Sequence, residues 1–351
     1  MIFWLFFHLV IIFFGLPTKI NNRKFGKSLL IIVFVYIIAI SSIRYDIGFD
    51  YGTYYRSIHP YIDNSVLDTW EPLNRLIFIF CARINCIPLV FVVYSVLTYV
   101  IAFYSIYKYS KDAFIGLLVY IAFFYLTTLS SIRQGLALSI ILLATGIYIY
   151  GTKRRFLQFA SLCVIASFFH YSAIICLFIP LLFNLQNLKS ILIIDVAIYT
   201  FLSALITLTV TFIIPQYATY LLSLNDFEGG GLITIFYTLF VCLCIYTVYK
   251  SYHLRKLPYE LRTIAIIIIG VIIPYIMGTH IGGRISMYFL VPLVYLVPVI
   301  FKKKFQYKIL VPLLCCFFMF YIYTDSKNTY KSSYTPYQTI FDIDNNNPKW
   351  K

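Results

Sequence analysis

AFIGLLVYIAFFYLTTLSSIRQGLALSIILLATGIYIY, residues 113–150, is the stretch that decides the fold. Its only charged residue is Arg133, which has apolar residues and small hydroxyl-bearing residues on both sides. The runs 113–130 and 132–150 are each long enough to cross about 30 Å of hydrocarbon as a helix. The stretch therefore predicts two membrane-spanning helices with an arginine at their tight junction.

The rest of the chain has the same character. It is 61% hydrophobic and 12% charged, with a mean hydropathy of +0.86, whereas soluble domains carry about 25% charged residues. We predict an all-α, polytopic integral membrane protein with about 12 spans, in a range of about 10–13. The first apolar run has its positive charges after it rather than before it, which favours a retained span over a cleaved signal peptide. The predicted spans are 2–16, 28–43, 87–107, 113–130, 132–150, 156–169, 171–185, 190–214, 232–249, 263–280, 285–301 and 309–323.

Two segments leave the number of spans open. PLNRLIFIFCARI, residues 72–84, is short and contains two arginines, so we interpret it as a short interfacial or re-entrant helix. Residues 156–183 could form one long tilted helix or two short helices broken near His170. We prefer the break because it keeps the two later basic clusters on the same side as the earlier ones.

Charge asymmetry orients these spans. Most of the 28 basic residues lie in one set of loops that carries only Asp112 and Glu260 as acids. The other set carries most of the 13 acidic residues, so the positive-inside rule places both termini outside. We predict one membrane domain over 1–323, with an outer loop at 44–72 and the short helix at 72–84, followed by an extracytoplasmic tail at 324–351.

Composition and motifs exclude several classes of function. The net charge of +15 does not indicate nucleic-acid binding, because the basic residues form short clusters between apolar segments. The eight cysteines lie in or beside apolar runs without CxxC spacing, so we interpret them as small buried hydrophobic residues. The chain has no HExxH, P-loop or GxSxG motif, and Asp46 and Asp50 are too widely spaced to support a divalent-metal site. We expect no metal and no cofactor.

Arginines at the predicted outer ends of the spans indicate an anion site. Arg133 lies in SSIRQG, Arg284 follows the glycine-rich break in GTHIGGRISMY, and Arg44 follows the second span. An ionisable group at membrane depth costs at least about 2.5 kcal/mol, and a guanidinium fork matches phosphate oxygens. The three arginines therefore predict a phosphate or pyrophosphate ligand, although Arg44 could instead pair with Asp46 and Arg284 could cap a broken helix.

A histidine and three carboxylates at the same level are candidates for a general base. His170 lies at the turn in SFFHYSA, where it could also serve only to satisfy backbone groups. Asp46 and Asp50 are four residues apart, so they share a face only if their segment is helical. Glu71 lies directly before a short helix, where a carboxylate also serves as a helix-start charge.

Aromatic and amide side chains beside these groups are candidates for binding sugars. Tyr51 and Tyr55 lie in DYGTYY, and Gln134 follows the junction arginine. Aromatic faces in an outer pocket stack on sugar rings. Anchoring at the membrane interface is the alternative for each tyrosine.

The ordered motifs resemble the EpsG family, which is related to the Wzy-type O-antigen polymerases of bacterial surface polysaccharides. The resemblance covers nearly the whole chain, and it rests on the ordered set rather than on any single motif. The late loop around 215–231 is short, unlike the long outer loop of many O-antigen polymerases, which favours the EpsG branch. The motifs are DIGFDYGTYY, WEPLNRLIF, SIRQGLALSI, ASFFHYSAII, GGRISMY and YTPYQTIF.

This resemblance implies a membrane glycosyltransferase-like architecture and a polymerase activity. A growing glycan would move from undecaprenyl pyrophosphate to the non-reducing end of the next lipid-linked repeat unit, on the outer face of a bacterial cytoplasmic membrane. The implied partners are that lipid-linked oligosaccharide, membrane lipids, a flippase and a chain-length regulator. Another lipid-phosphate glycosyltransferase or a ligase is an alternative. A transporter is disfavoured because the chain has no internal repeat and its polar groups cluster at one face.

Overall fold

The protein is almost entirely helical in the part of the chain that the computed structural model describes. That part comprises residues 1–15, 23–57, 70–84, 86–183, 189–194, 230–252, 257–277, 282–301, 304–327 and 333–342. The α-helices are α1 (Ile2–Gly15), α2 (Arg23–Ile43), α3 (Tyr51–Arg56), α4 (Pro72–Arg83), α5 (Pro88–Tyr109), α6 (Ala113–Tyr120), α7 (Leu126–Ser130), α8 (Ile132–Tyr150), α9 (Arg155–Ser167), α10 (Ile179–Leu182), α11 (Gly230–Tyr252), α12 (Thr263–Met277), α13 (Gly283–Leu290), α14 (Leu293–Ile300) and α15 (Lys304–Ser326).

Seven helical segments in the described ranges are long and apolar enough to cross a membrane. An α-helix of about 20 residues is about 30 Å long, which matches the hydrocarbon thickness of a bilayer. The described chain is therefore a multi-pass, all-α membrane protein. The seven segments are Gly26–Ile43, Pro88–Tyr109, Ala113–Ser130, Ile132–Tyr150, Ile233–Tyr252, Tyr259–Ile276 and Tyr307–Ser326.

The predicted spans compare unevenly with these helices. Seven of them lie on the seven long segments, and the predicted span 285–301 is the pair α13 and α14, bent by 46° next to Pro292. The predicted spans 2–16, 156–169 and 171–185 are shorter apolar helices. Most of the predicted span 190–214 lies outside the described residues. The described part thus has seven candidate spans, or eight with the bent pair, and the prediction of 12 is not confirmed.

The chain reverses its direction after α9. His170 has an extended backbone, with φ −158° and ψ 111°, and its N–H donates to the Ala166 carbonyl at 2.9 Å. The 3₁₀ helix Tyr171–Phe178 then packs back against α9. The break that the sequence predicts near His170 is present, and it leaves the imidazole at a helix end.

Two long helical stretches meet at Ser131. The first consists of α6, the π-helical turn Ile121–Tyr125 and α7. Ser131 leaves helical geometry, with φ −102° and ψ 77°, and α8 begins at the next residue. Gly135 allows the two stretches to approach closely, since a Cβ at this position would lie 2.9 Å from Thr128 Cα.

The last described residues, 333–342, pack against the helical bundle. Arg44–Tyr45 (β1) and Gln338–Thr339 (β2) form a two-stranded antiparallel ribbon in which Arg44 is paired with Thr339. Tyr334 is fully buried. The helix α15 ends at Ser326, so the predicted tail 324–351 begins within a helix and its residues 333–342 belong to the folded body. Residues 328–332 and 343–351 of that tail lie outside the described ranges, as do residues 58–69 of the predicted outer loop.

The short helix 72–84 of the sequence prediction corresponds to α4, which starts at Pro72. Pro is well suited to the first turn of a helix because it has no N–H to leave unpaired. The buried side chains of α4 include Asn74, Phe78 and Cys81, while Leu76 and Phe80 are exposed. One face of α4 therefore packs on the bundle, and the other is apolar and open.

Candidate functional site

A buried glutamate directly before α4 is the centre of the candidate site. The Glu71 side chain is only 5% exposed. Its Oε2 accepts hydrogen bonds from Arg133 Nη1 and from Asn74 Nδ2, the latter at 3.0 Å. Its Oε1 accepts a hydrogen bond from His170 Nδ1 at 3.1 Å. The sequence singled out Glu71, Arg133 and His170 separately, and the structure brings all three together.

Arg133 lies in the first turn of α8. A positive charge is unfavourable there because the N-terminus of a helix carries a partial positive charge. The carboxylate of Glu71 offsets this cost, and so does the ring of Trp70, over which the guanidinium lies 4.4 Å from the centroid. The Arg133 side chain is 23% exposed, so part of the guanidinium can reach a ligand.

Asn74 holds the glutamate and the histidine turn at a fixed separation. It is fully buried, and its Nδ2 donates both to Glu71 and to the Phe169 carbonyl. Its Oδ1 accepts a hydrogen bond from the hydroxyl of Tyr94. The sequence analysis missed this residue. Its only signal was its position three residues after Glu71 on the same short helix.

The partners of Glu71 keep it ionised. Burial alone would raise its pKa, but the hydrogen bond from His170 and the charge of Arg133, together with Asn74, lower the pKa to about 2. A carboxylate that is this acidic is a poor proton acceptor near neutral pH. Because the carboxylate only accepts hydrogen bonds, Nδ1 of His170 carries a proton, and in the neutral ring the lone pair lies on Nε2.

A second, looser ion pair adjoins the first cluster. Arg284 Nη2 lies 3.7 Å from Asp50 Oδ2, and their side chains are 43% and 29% exposed. Ser131 Oγ donates to the same aspartate oxygen at 2.8 Å, and Gln134 Nε2 donates to the Arg284 carbonyl at 2.6 Å. Because Ser131 and Gln134 flank Arg133, the junction before α8 connects the two ion pairs.

Arg44 is not presented at the surface with the other two arginines. It is 1% exposed, and Nη1 donates to the Ser41 carbonyl at 2.6 Å and to Ser95 Oγ at 3.0 Å. Its guanidinium also lies 5.3 Å from the centroid of the Phe91 ring. Arg44 therefore connects α2 to α5. Its contact with pyrophosphate stays a prediction that its position in the structure does not support.

The remaining predicted site residues differ in burial and in the contacts that they make. Residues 44–50 are not helical, so Asp46 and Asp50 do not share a helix face; Asp46 is buried with a φ of 52°. Tyr51 is 1% exposed and stacks on a phenylalanine ring, which leaves Tyr55 as the more accessible of the two predicted sugar-stacking tyrosines. Gln134 is also buried. Their proposed roles stay predictions.

Together, the fold and the site define a multi-pass helical membrane protein with a cluster of ionisable side chains at the ends of its helices. The chain belongs to the EpsG family, whose family model matches residues 27–339. This confirms the resemblance found in the sequence. No curated protein and no solved structure matches the chain. Membership in the EpsG family suggests a membrane protein of the polysaccharide-polymerase type with glycosyltransferase-like activity.

Proposed function

We propose that the protein polymerises a bacterial surface polysaccharide, either O-antigen, capsule or exopolysaccharide. It would transfer the growing glycan from undecaprenyl pyrophosphate to the non-reducing end of the next lipid-linked repeat unit. The observation that carries this proposal is the hydrogen-bonded cluster of Glu71, Arg133 and His170, with the partly exposed Arg284 beside it. A base next to cations suits a transfer in which the acceptor loses a proton and the leaving group gains negative charge.

The proposed step is a displacement at the anomeric carbon of the donor sugar. The acceptor hydroxyl oxygen forms the new glycosidic bond, the bond between that carbon and the pyrophosphate oxygen breaks, and its electron pair leaves with the pyrophosphate. The hydroxyl proton passes to Nε2 of His170. Glu71 holds the imidazole through Nδ1 and stabilises the imidazolium that forms, which is a positioning role. Asp50 is the alternative base.

Arg284 is the arginine best placed to bind the leaving pyrophosphate. Charge-assisted hydrogen bonds between nitrogen and oxygen are about 2.7–2.9 Å long, whereas Arg284 and Asp50 are 3.7 Å apart. The guanidinium is therefore loosely held and can turn to an anionic ligand. Arg133 adds positive potential, although Glu71 offsets part of it. Arg44 is left out of this proposed clamp because it is buried and engaged.

We also propose that the site faces outward from the cytoplasmic membrane. The ends of α8 support this orientation, because Arg133 marks one end and the basic residues 153–155 follow the other. Near that second end, Arg155 stacks on Tyr259 at 4.8 Å from its centroid, and Lys111 pairs with Glu260 at 3.1 Å. Such basic ends are typically cytoplasmic. A flippase would supply the lipid-linked units, and a chain-length regulator would act on the product.

Cysteine labelling of intact cells tests the orientation. Thr53 and Lys153 are both exposed and lie toward opposite ends of the bundle. In a background in which the eight native cysteines are replaced by alanine, Thr53→Cys should react with a membrane-impermeant maleimide, and Lys153→Cys should react only after the cells are permeabilised. Protection of Thr53→Cys in intact cells would reverse the proposed orientation.

Reconstitution tests the function itself. Purified protein in proteoliposomes is given a single lipid-linked repeat unit and no nucleotide sugar. The proposal predicts a ladder of lipid-linked polymers and the release of free undecaprenyl pyrophosphate. Transfer of the unit to a non-lipid acceptor without a ladder would indicate a ligase. Movement of the intact unit across the bilayer without transfer would indicate a transporter.

A further inference from the structure

The described C-terminal segment, residues 333–342, contacts the loop that carries Asp50. Gly48 N–H donates to the Ser333 carbonyl at 2.8 Å, and β1 pairs with β2. Gly48 has a φ of +105°, and a Cβ there would lie 2.6 Å from the Leu129 carbonyl oxygen, so the loop runs tightly between the segment and the end of α7. The segment therefore forms a wall behind the loop that carries Asp50, although it follows the last long helix that the structure describes.

Tyr334 anchors this wall through its backbone. Its N–H and that of Ser333 both donate to Asp325 Oδ2, at 3.1 and 2.9 Å. Its carbonyl accepts a hydrogen bond from Trp4 Nε1 at 2.9 Å. Both backbone polar groups of Tyr334 are thus satisfied by α1 and α15, and a buried residue with its polar groups paired is held in one position.

A directional chain of hydrogen bonds runs from the Asp50 loop through the hydroxyl of Tyr334 to the first residue of α7. A tyrosine has one hydroxyl hydrogen, and Tyr334 donates it to the Leu126 carbonyl at 3.0 Å. The bond between Ser130 Oγ and the Tyr334 hydroxyl must then be donated by the serine. Ser130 Oγ in turn accepts the backbone N–H of Phe49 at 3.2 Å, and Phe49 directly precedes Asp50.

We infer that Tyr334 is a positioning residue, which holds Asp50 against Ser131 and Arg284 through Ser130 and the backbone of Phe49. The inference rests on the proposed function, since it concerns the geometry in which that function places Asp50. The next residue after Ser130, Ser131, donates directly to the aspartate. The two adjacent serines therefore fix the loop at two points, and Tyr334 sets the first of them.

Tyr337 offers a matched control. It lies in the same segment and also donates a hydrogen bond to a backbone carbonyl, that of the part-buried Ile40. Its hydroxyl contacts α2 instead of the Asp50 loop. Tyr334→Phe and Tyr337→Phe each remove one hydroxyl and keep the ring. A purely structural role of these hydroxyls predicts similar effects from both changes, whereas the positioning role predicts an effect on transfer from Tyr334→Phe alone.

The test combines transfer rates with hydrogen exchange of the full-length purified protein. Tyr334→Phe should slow transfer about five- to tenfold, the effect of one lost hydrogen bond, with KM for the lipid-linked unit little changed. It should also speed amide exchange at Phe49 severalfold. Adding Ser130→Ala should cost less in the Tyr334→Phe background than it costs in the parent, because both changes remove the bond between Ser130 and Tyr334. Tyr337→Phe should leave the transfer rate and the exchange at Phe49 as in the parent.

Three outcomes would overturn the inference. They are unchanged exchange at Phe49 in Tyr334→Phe, faster exchange with an unchanged transfer rate, and equal loss of rate in both tyrosine variants. The exchange measurement needs no substrate. If the parent protein shows no transfer, the proposed function fails on its own, and unchanged exchange at Phe49 would still refute the positioning role of Tyr334.

Discussion

Replacing His170 by asparagine is expected to slow glycan transfer by a factor of about 10² to 10⁴, the usual contribution of a general base. Asparagine retains an N–H group that can donate to Glu71, but it has no basic nitrogen to accept the proton of the acceptor hydroxyl. Binding of the lipid-linked unit should therefore change little while the rate of transfer falls. Both quantities are measured in proteoliposomes that contain equal amounts of inserted protein.

The neighbouring residue provides the control for this change. Tyr171 is 57% exposed, and Tyr171→Phe removes a polar group next to His170 without affecting the hydrogen-bonded cluster around Glu71. It should retain the parent rate. A His170→Asn variant that transfers at the parent rate would exclude the histidine as the base and would leave Asp50 as the candidate.

Replacing Arg284 by alanine is expected to slow transfer about 10²- to 10³-fold, the effect of removing one positioned donor to a developing anion. Arg284→Lys keeps the charge without the planar fork and should lose less activity. Arg83, an exposed arginine at the end of α4, provides the control, and Arg83→Ala should behave as the parent. Equal rates in Arg284→Ala and Arg83→Ala would remove Arg284 from the proposed clamp.

The sequence located the centre of the site because its members are conspicuous in an apolar chain. Glu71, Arg133 and His170 stand at the ends of hydrophobic runs, where ionisable groups are expensive. Their convergence on one carboxylate could not be derived from the sequence, because it depends on how the turn after α9 packs against α4. Asn74 was missed for a related reason. A neutral amide on a short helix gives no signal until its tertiary partners are known.

Arg44 shows the limit of the same reasoning. An arginine directly after a span gives the same sequence pattern whether its side chain reaches solvent or folds back between helices. The structure has it donating to Ser41 and Ser95 inside the bundle. The prediction of the membrane spans had a similar limit. Long apolar runs predicted the long helices well, but short runs such as 2–16 gave helices too short to count as spans by length.

The most direct test of the central claim, that the cluster promotes departure of a lipid pyrophosphate, is a comparison of two donors. One carries the repeat unit on undecaprenyl pyrophosphate, and the other carries the same unit on undecaprenyl monophosphate. The ratio of their transfer rates is measured for the parent, for Arg284→Ala and for His170→Asn. We predict that the parent strongly prefers the pyrophosphate donor and that Arg284→Ala loses most of this preference. His170→Asn should slow transfer from both donors and retain the preference. A preference that is the same in Arg284→Ala as in the parent would contradict the account.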